Sequence, residues 1–221
     1  MDNKLLETVV IFATKPEKEA QSFLRKKSSE EIIKLFMDIL KVYMNDKNSS
    51  TLREKITLKT AGYTSTDKKI GYDGFKENKG KKIVSEVKPK NVDTENNKVI
   101  KTPQKHDGSG NFTDYTFARF ERDKKENPNM LISGFVDGIL IFVLEFPFNF
   151  SYFTNQLYIS LKKRFPQGDI SGEYLRSAGF NFKSYKNCKE LKVIDLNTNE
   201  LKNNRDNFSK SFYEFLLSIN K

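Results

Sequence analysis

MLISGFVDGILIFVLEF, Met130 to Phe146, is the stretch on which the fold class turns. Two apolar runs, Met130–Val136 and Ile139–Phe146, flank Asp137-Gly138, a dipeptide that suits a type I′ hairpin turn because both positions tolerate positive φ. Ile139 to Leu144 shows no polar alternation, so this strand is expected to be covered on both faces. Upstream, short runs near Lys69–Phe75 and Lys82–Lys88 flank the turn Lys76–Gly80 and read as a second antiparallel hairpin. Between the hairpins, Val92 to Gly110 reads as a long exposed loop, and Phe112 to Lys125 as a helix with Arg119, Arg122 and Lys125 on its polar surface. Beyond them, Asn149–Phe165 and Asn207–Ile219 carry helical patterns.

At the other end, Ser28 and Glu31 have the spacing of a capping box. Ile32, Ile33, Phe36, Ile39, Leu40 and Tyr43 then follow the helical period, which predicts a helix to about Met44 with one face packed inward. Thr8 to Ala13 is an apolar stretch able to begin another helix. The sum is an α/β fold, a central mixed β-sheet flanked by helices. It is read as one domain over 1–221, with a core at about 28–148 and a C-terminal helical part at about 149–221.

Composition bounds the chemistry. The 221 residues include one cysteine, Cys188, and one histidine, His106, which excludes a disulfide framework, a multi-thiolate zinc site and any site needing two imidazoles from one chain. Carboxylates, lysines, hydroxyls and a borrowed hard metal remain. The formal net charge is +10, but lysine supplies 32 of 39 basic residues and asparagine has 20 copies, a bias that an AT-rich genome writes onto any surface. The distribution says more: 11 lysines against five acids between Lys68 and Lys105 concentrate +6 of that charge, the footprint of a polyanion site. The start, MDNKLLETVV, lacks the pattern of a secretory signal, and Ile139–Phe148 is shorter than the ~20 residues of a membrane span. A soluble protein of a bacterial or archaeal cytoplasm, with no membrane partner, is expected.

The chemistry concentrates in Gly71-Tyr72-Asp73-Gly74-Phe75 and Ile83-Val84-Ser85-Glu86-Val87-Lys88. On a strand, Glu86 and Lys88 point to the same face, and a hairpin brings Asp73 beside Glu86. Two converging carboxylates make an oxygen site suited to Mg²⁺, which keeps several waters and favours phosphate oxygens. A lysine alongside can orient a water or stabilise charge building on phosphorus. Asp67 is the reserve for Asp73, and Glu190-Leu191-Lys192 is a second Glu-x-Lys copy without an equally placed upstream Asp. In a chain this rich in lysine an isolated Glu-x-Lys has little weight, and an ordinary solvated hairpin is the competing reading.

The arrangement resembles the PD-(D/E)XK nuclease superfamily over roughly Ser28 to Phe148. The resemblance implies Asp73 and Glu86 as metal ligands, Lys88 as the catalytic lysine, and a further acid on the upstream helix, for which Glu30, Glu31 and Asp38 are open alternatives. Tyr72 stands where the name-giving proline would be, and Ser85 breaks the usual apolar run before the Glu-x-Lys pair. Size and organisation look most like a type II restriction endonuclease: a homodimer cutting double-stranded DNA with Mg²⁺ to leave 5′-phosphate ends. Candidate DNA-contacting residues are Lys90, Asn91 and Gln104, with Arg119 and Arg122 suited to guanine edges. His106 is expected as a solvated or phosphate-contacting loop residue, and Phe112, Tyr115, Phe117 and Phe120 as core. The rival readings are a non-catalytic DNA- or RNA-binding protein, a non-specific or repair nuclease of the same superfamily, and a soluble structural protein.

Overall fold

The computed structural model describes residues 3–46, 50–66 and 71–219. Asp67, Lys68 and Lys69 lie outside the described residues. The chain forms two compact units, Met1–Ser49 and Ser50–Lys221.

The first unit contains helices α1 (Asn3–Thr14), α2 (Glu17–Arg25) and α3 (Ser29–Asn45). The predicted capping box is present: Glu31 N donates to Ser28 Oγ at 3.2 Å, and Ser28 N donates to Glu31 Oε2 at 2.9 Å. The predicted inward face is not. Ile32, Ile33, Phe36, Ile39 and Tyr43 are exposed, and Met44 is the one buried residue of α3. Ten apolar residues wrap most of this helix, a wider arc than α1 and α2 cover.

The second unit carries α4 (Thr51–Thr60), β1 (Thr64–Ser65), β2 (Gly74–Asn78), β3 (Lys81–Val92), α5 (Thr94–Val99), β4 (Gly110–Tyr115) and α6 (Phe117–Glu126). After these come β5 (Asn129–Val136), β6 (Ile139–Pro147), α7 (Ser151–Arg164), β7 (Leu175–Phe180), β8 (Lys192–Leu196), α8 (Thr198–Asn203) and α9 (Lys210–Ser218). Six strands form a mixed sheet in the order β1-β2-β3-β5-β6-β8, flanked by helices, while β4 and β7 make a separate two-stranded ribbon. Both predicted hairpins form. The β2–β3 turn is the pair Lys79-Gly80, tighter than predicted, and Asp137-Gly138 joins β5 to β6, all four residues with positive φ. β5 lies parallel to β3, pairing Glu86 with Met130 and Lys88 with Ile132, so β3 and β5 are interior strands.

Each face of the sheet has its own core. Leu58 of α4 packs with Tyr63, Val87 and Leu131 on one. The other carries the larger cluster, dominated by aromatics from β4, β6, α7 and α9, including Phe112, Phe146, Phe153 and Phe212. Phe112, Tyr115 and Phe120 are buried there as expected.

Two expectations between the hairpins are corrected. Residues 110–115 are strand β4, paired with β7, and the helix starts only at Phe117, where the side chain of Thr116 caps Arg119 N. His106 is buried, not solvated. Its Nε2 donates to Phe135 O at 2.8 Å, its ring packs on Phe142 and Phe208, and burial pushes its pKa down to about 4. It is a neutral pin between the 100–110 segment and the sheet. No helix among the described residues is long and apolar enough to cross a membrane.

Candidate active site

The hairpin brings Asp73, Glu86 and Lys88 together. Asp73 immediately precedes β2, and its N–H donates to Ser85 O at 3.0 Å. The next residue is glycine because a β-carbon at Gly74 would collide with Leu58 of α4. Ser85, the small residue that interrupts the apolar run, lies opposite Gly74 in the same close approach. The carboxylate of Asp73 then turns toward β3, where Oδ2 accepts the Val87 N–H at 2.7 Å. Glu86 is buried, and its Oε1 accepts from Lys88 Nζ at 2.8 Å and from Arg119 Nη2 at 3.1 Å.

The electrostatics betray a crowded pair of carboxylates. Asp73 is pushed up to about 6, first by burial and next by the charge of Glu86; the Val87 N–H and Lys88 pull the other way. Glu54 raises it further. That residue identifies the helix that serves the site. Glu54 sits on α4, its Oε1 accepting from Ser50 Oγ at 2.6 Å, and α4 packs on β3 through Leu58. Glu30, Glu31 and Asp38 belong to the N-terminal unit, and Glu31 is occupied in its capping box. Sequence reasoning missed Glu54; the signal able to find it is position, since α4 is the last helix before the hairpin.

The cations stand on an aromatic floor from β4. Lys88 Nζ lies 4.7 Å from the Phe112 ring centre, and the Arg119 guanidinium 5.4 Å from that of Tyr115. Arg119 is therefore a clamp on Glu86, not a side chain free to read bases. Behind it sits Asp123, which sequence reasoning missed. This buried carboxylate accepts from Tyr72 at 3.0 Å, Tyr115 at 3.2 Å and Arg122 at 3.2 Å, and lies 3.7 Å from Arg119 Nε. Burial raises its pKa, opposed by these donors. Tyr72, in the place of the expected proline, thus ties the Asp73 loop to α6.

A cleft of about 680 Å³ adjoins the site, lined among others by Glu54, Lys88, Lys90, Asn111, Gln156 and Asn181. Lys90 pairs with Asp107 at 3.0 Å. Asn91 is committed to the β5–β6 turn, accepting the Gly138 N–H, and Gln104 is exposed on a loop tied to Asn97. Of the nine described lysines between 68 and 105, Lys76, Lys88, Lys90 and Lys98 are paired with carboxylates, which leaves five for a polyanion.

Lys192, of the second Glu-x-Lys copy, lies on β8 opposite Glu145, 3.5 Å from its Oε1. Among the described residues no group of three or more His, Cys, Asp or Glu is arranged to hold a metal. Among the described residues, Asp73 Oδ1 and Glu86 Oε2 nevertheless receive no protein donor. Two such oxygens fit Mg²⁺, which takes one or two carboxylates and completes its shell with water and phosphate. Searches against protein families, curated proteins and solved structures return no match to this chain.

Proposed function

We propose that the protein is a Mg²⁺-dependent endonuclease of the PD-(D/E)XK type that cuts double-stranded DNA at specific sequences, as type II restriction enzymes do. The observation that carries the reading is the meeting of Asp73 with Glu86, each with one oxygen that receives no donor among the described residues, beside Lys88, which shares β3 with Glu86. The raised pKa of Asp73 supports it, because two buried carboxylates that repel one another gain from a shared cation.

Asp73 Oδ1 and Glu86 Oε2 would hold the ion, with Glu54 within electrostatic reach. A bound Mg²⁺ lowers the pKa of a water and polarises the phosphate. Lys88, held against Glu86 and over Phe112, orients the attacking water and offsets charge building on the phosphate oxygens. Arg119, braced by Asp123, supplies a second positive charge. Hydrolysis joins the water oxygen to phosphorus and breaks the P–O3′ bond, leaving a 5′-phosphate and a 3′-hydroxyl. Asn111, Gln156 and Asn181 line the cleft, each with one amide atom bonded within the chain, to Ser177, Gly179 O and the Lys183 N–H, which leaves the other amide atom for a base edge.

The test is incubation of the purified chain with mixed-sequence duplex DNA, with and without Mg²⁺. Discrete fragments that vanish on chelation are expected. A smear would reassign it to non-specific cleavage, and retained binding without cutting to a non-catalytic DNA-binding protein.

A further inference from the structure

The two units differ in what they expose. The N-terminal 49 residues carry nine basic and eight acidic residues, net +1, so the remaining +9 belongs to the sheet unit. Of the 19 large apolar residues exposed among the described ones, 11 lie on α1 and α3. The eight on the sheet unit are spread over α5, β6, α7, α9 and the loop before β7, so that unit offers no apolar patch of matching extent.

On α3 the pattern is sharp. Glu31, Lys34, Asp38, Lys41 and Asn45 repeat at three- and four-residue intervals as one narrow polar stripe, and everything from Ile32 to Met44 off that stripe is apolar. A helix apolar over most of its circumference is stable only when buried on more than one side. α1 and α2 meet one flank, across an apolar groove of about 430 Å³. Ile33, Phe36 and Met37 remain 61%, 59% and 58% exposed.

We propose that this face of α1 and α3 is the surface through which two copies of the chain associate. Area and charge select the occupant. The 11 side chains expose on the order of 900 Å² together, against about 800 Å² per partner in a standard stable interface. A near-neutral unit can meet its own copy without charge repulsion, whereas the +9 unit opposes self-association and suits a polyanion. The surface does not depend on the nuclease reading and would serve any activity of the sheet unit.

Sedimentation equilibrium of the full chain, without DNA or metal, tests it, so its failure is separable from a failure to cleave. A particle of twice 25.7 kDa is expected at micromolar concentration. Phe36→Asp with Met37→Asp should weaken the dimer by roughly 30-fold or more, the scale of lost hot-spot contacts, with an unchanged circular dichroism spectrum. Under mild oxidation Met37→Cys should crosslink between chains and Lys34→Cys, on the polar stripe, should not; the native Cys188 is buried. A wild-type monomer at all soluble concentrations overturns the proposal. So does a dimer that survives the double substitution, crosslinking at Lys34 as strong as at Met37, or protection of Phe36 within a single chain.

Discussion

Glu86 and Glu145 are both buried glutamates on interior strands, each held by lysines, yet they are built for different ends. Register places them on opposite faces: Glu86 shares a row with Met130 and Phe146, and Glu145 with Val87, Leu131 and Lys192. Both oxygens of Glu145 are used. Oε2 accepts from Tyr63 at 3.0 Å and Lys76 at 3.2 Å, Oε1 faces Lys192 at 3.5 Å, and Asn129 donates to the Tyr63 hydroxyl. Among the described residues Glu86 has donors on Oε1 alone, and a second carboxylate lies beside it. A closed shell around one charge is a structural device. An open oxygen next to a like charge is the arrangement on which the proposed metal site rests. The Glu-x-Lys spacing occurs in both neighbourhoods, and only the meeting with Asp73 distinguishes them.

The largest expected effect breaks that comparison at the metal side. Glu86→Ala should lower single-turnover cleavage by at least ~10³-fold while leaving DNA binding intact, since an interaction needed for the chemical step is lost. Wild-type cutting by this variant would remove the assignment. On the structural side, Glu145→Ala leaves the buried Tyr63 hydroxyl without its acceptor while the two lysines can turn to water, and should cost about 1–3 kcal/mol in urea unfolding, with the rate of the folded fraction unchanged. A rate loss in proportion to that of Glu86→Ala would make Glu145 part of the site.

Lys88→Ala should slow the chemical step by roughly 10², and Lys192→Ala should leave it within a few-fold; the reverse result would transfer the chemistry to β8. The next effect is one of pH. Asp73 titrates near 6 in the fold, above its ordinary 3.8, so the folded state holds this proton more tightly than the unfolded one. The stability this contributes is present below pH 4 and is lost as pH rises through 6. Asp73→Asn should therefore stabilise the metal-free protein at pH 8 by about 2 kcal/mol, and the gain should disappear at pH 4. Equal gain at both pH values would argue against a crowded carboxylate pair. The smallest effect is on salt. With the five described lysines of the 68–105 segment that lack carboxylate partners, the slope of log K against log salt for DNA binding should be about −4.

Local rules carried the sequence reading a long way. Apolar runs and their turn residues determined both hairpins, the capping box determined where α3 starts, and strand alternation placed Glu86 and Lys88 on one face, because each depends on residues adjacent along the chain. Tertiary structure decided the rest. Phe112 to Tyr115, read as the start of a helix, is part of strand β4, because β7, about 65 residues away, supplies its hydrogen-bond partners. His106 reads as a solvated loop residue until Phe135 and Phe208 close over it. Arg119 reads as a free base-reading cation until α6 sets it against Glu86, and Glu54 comes within electrostatic reach of Asp73 because α4 packs on β3. Sequence by itself determined which residues are able to do chemistry; which of them share a site depended on contacts between elements far apart in the chain, which no local period encodes.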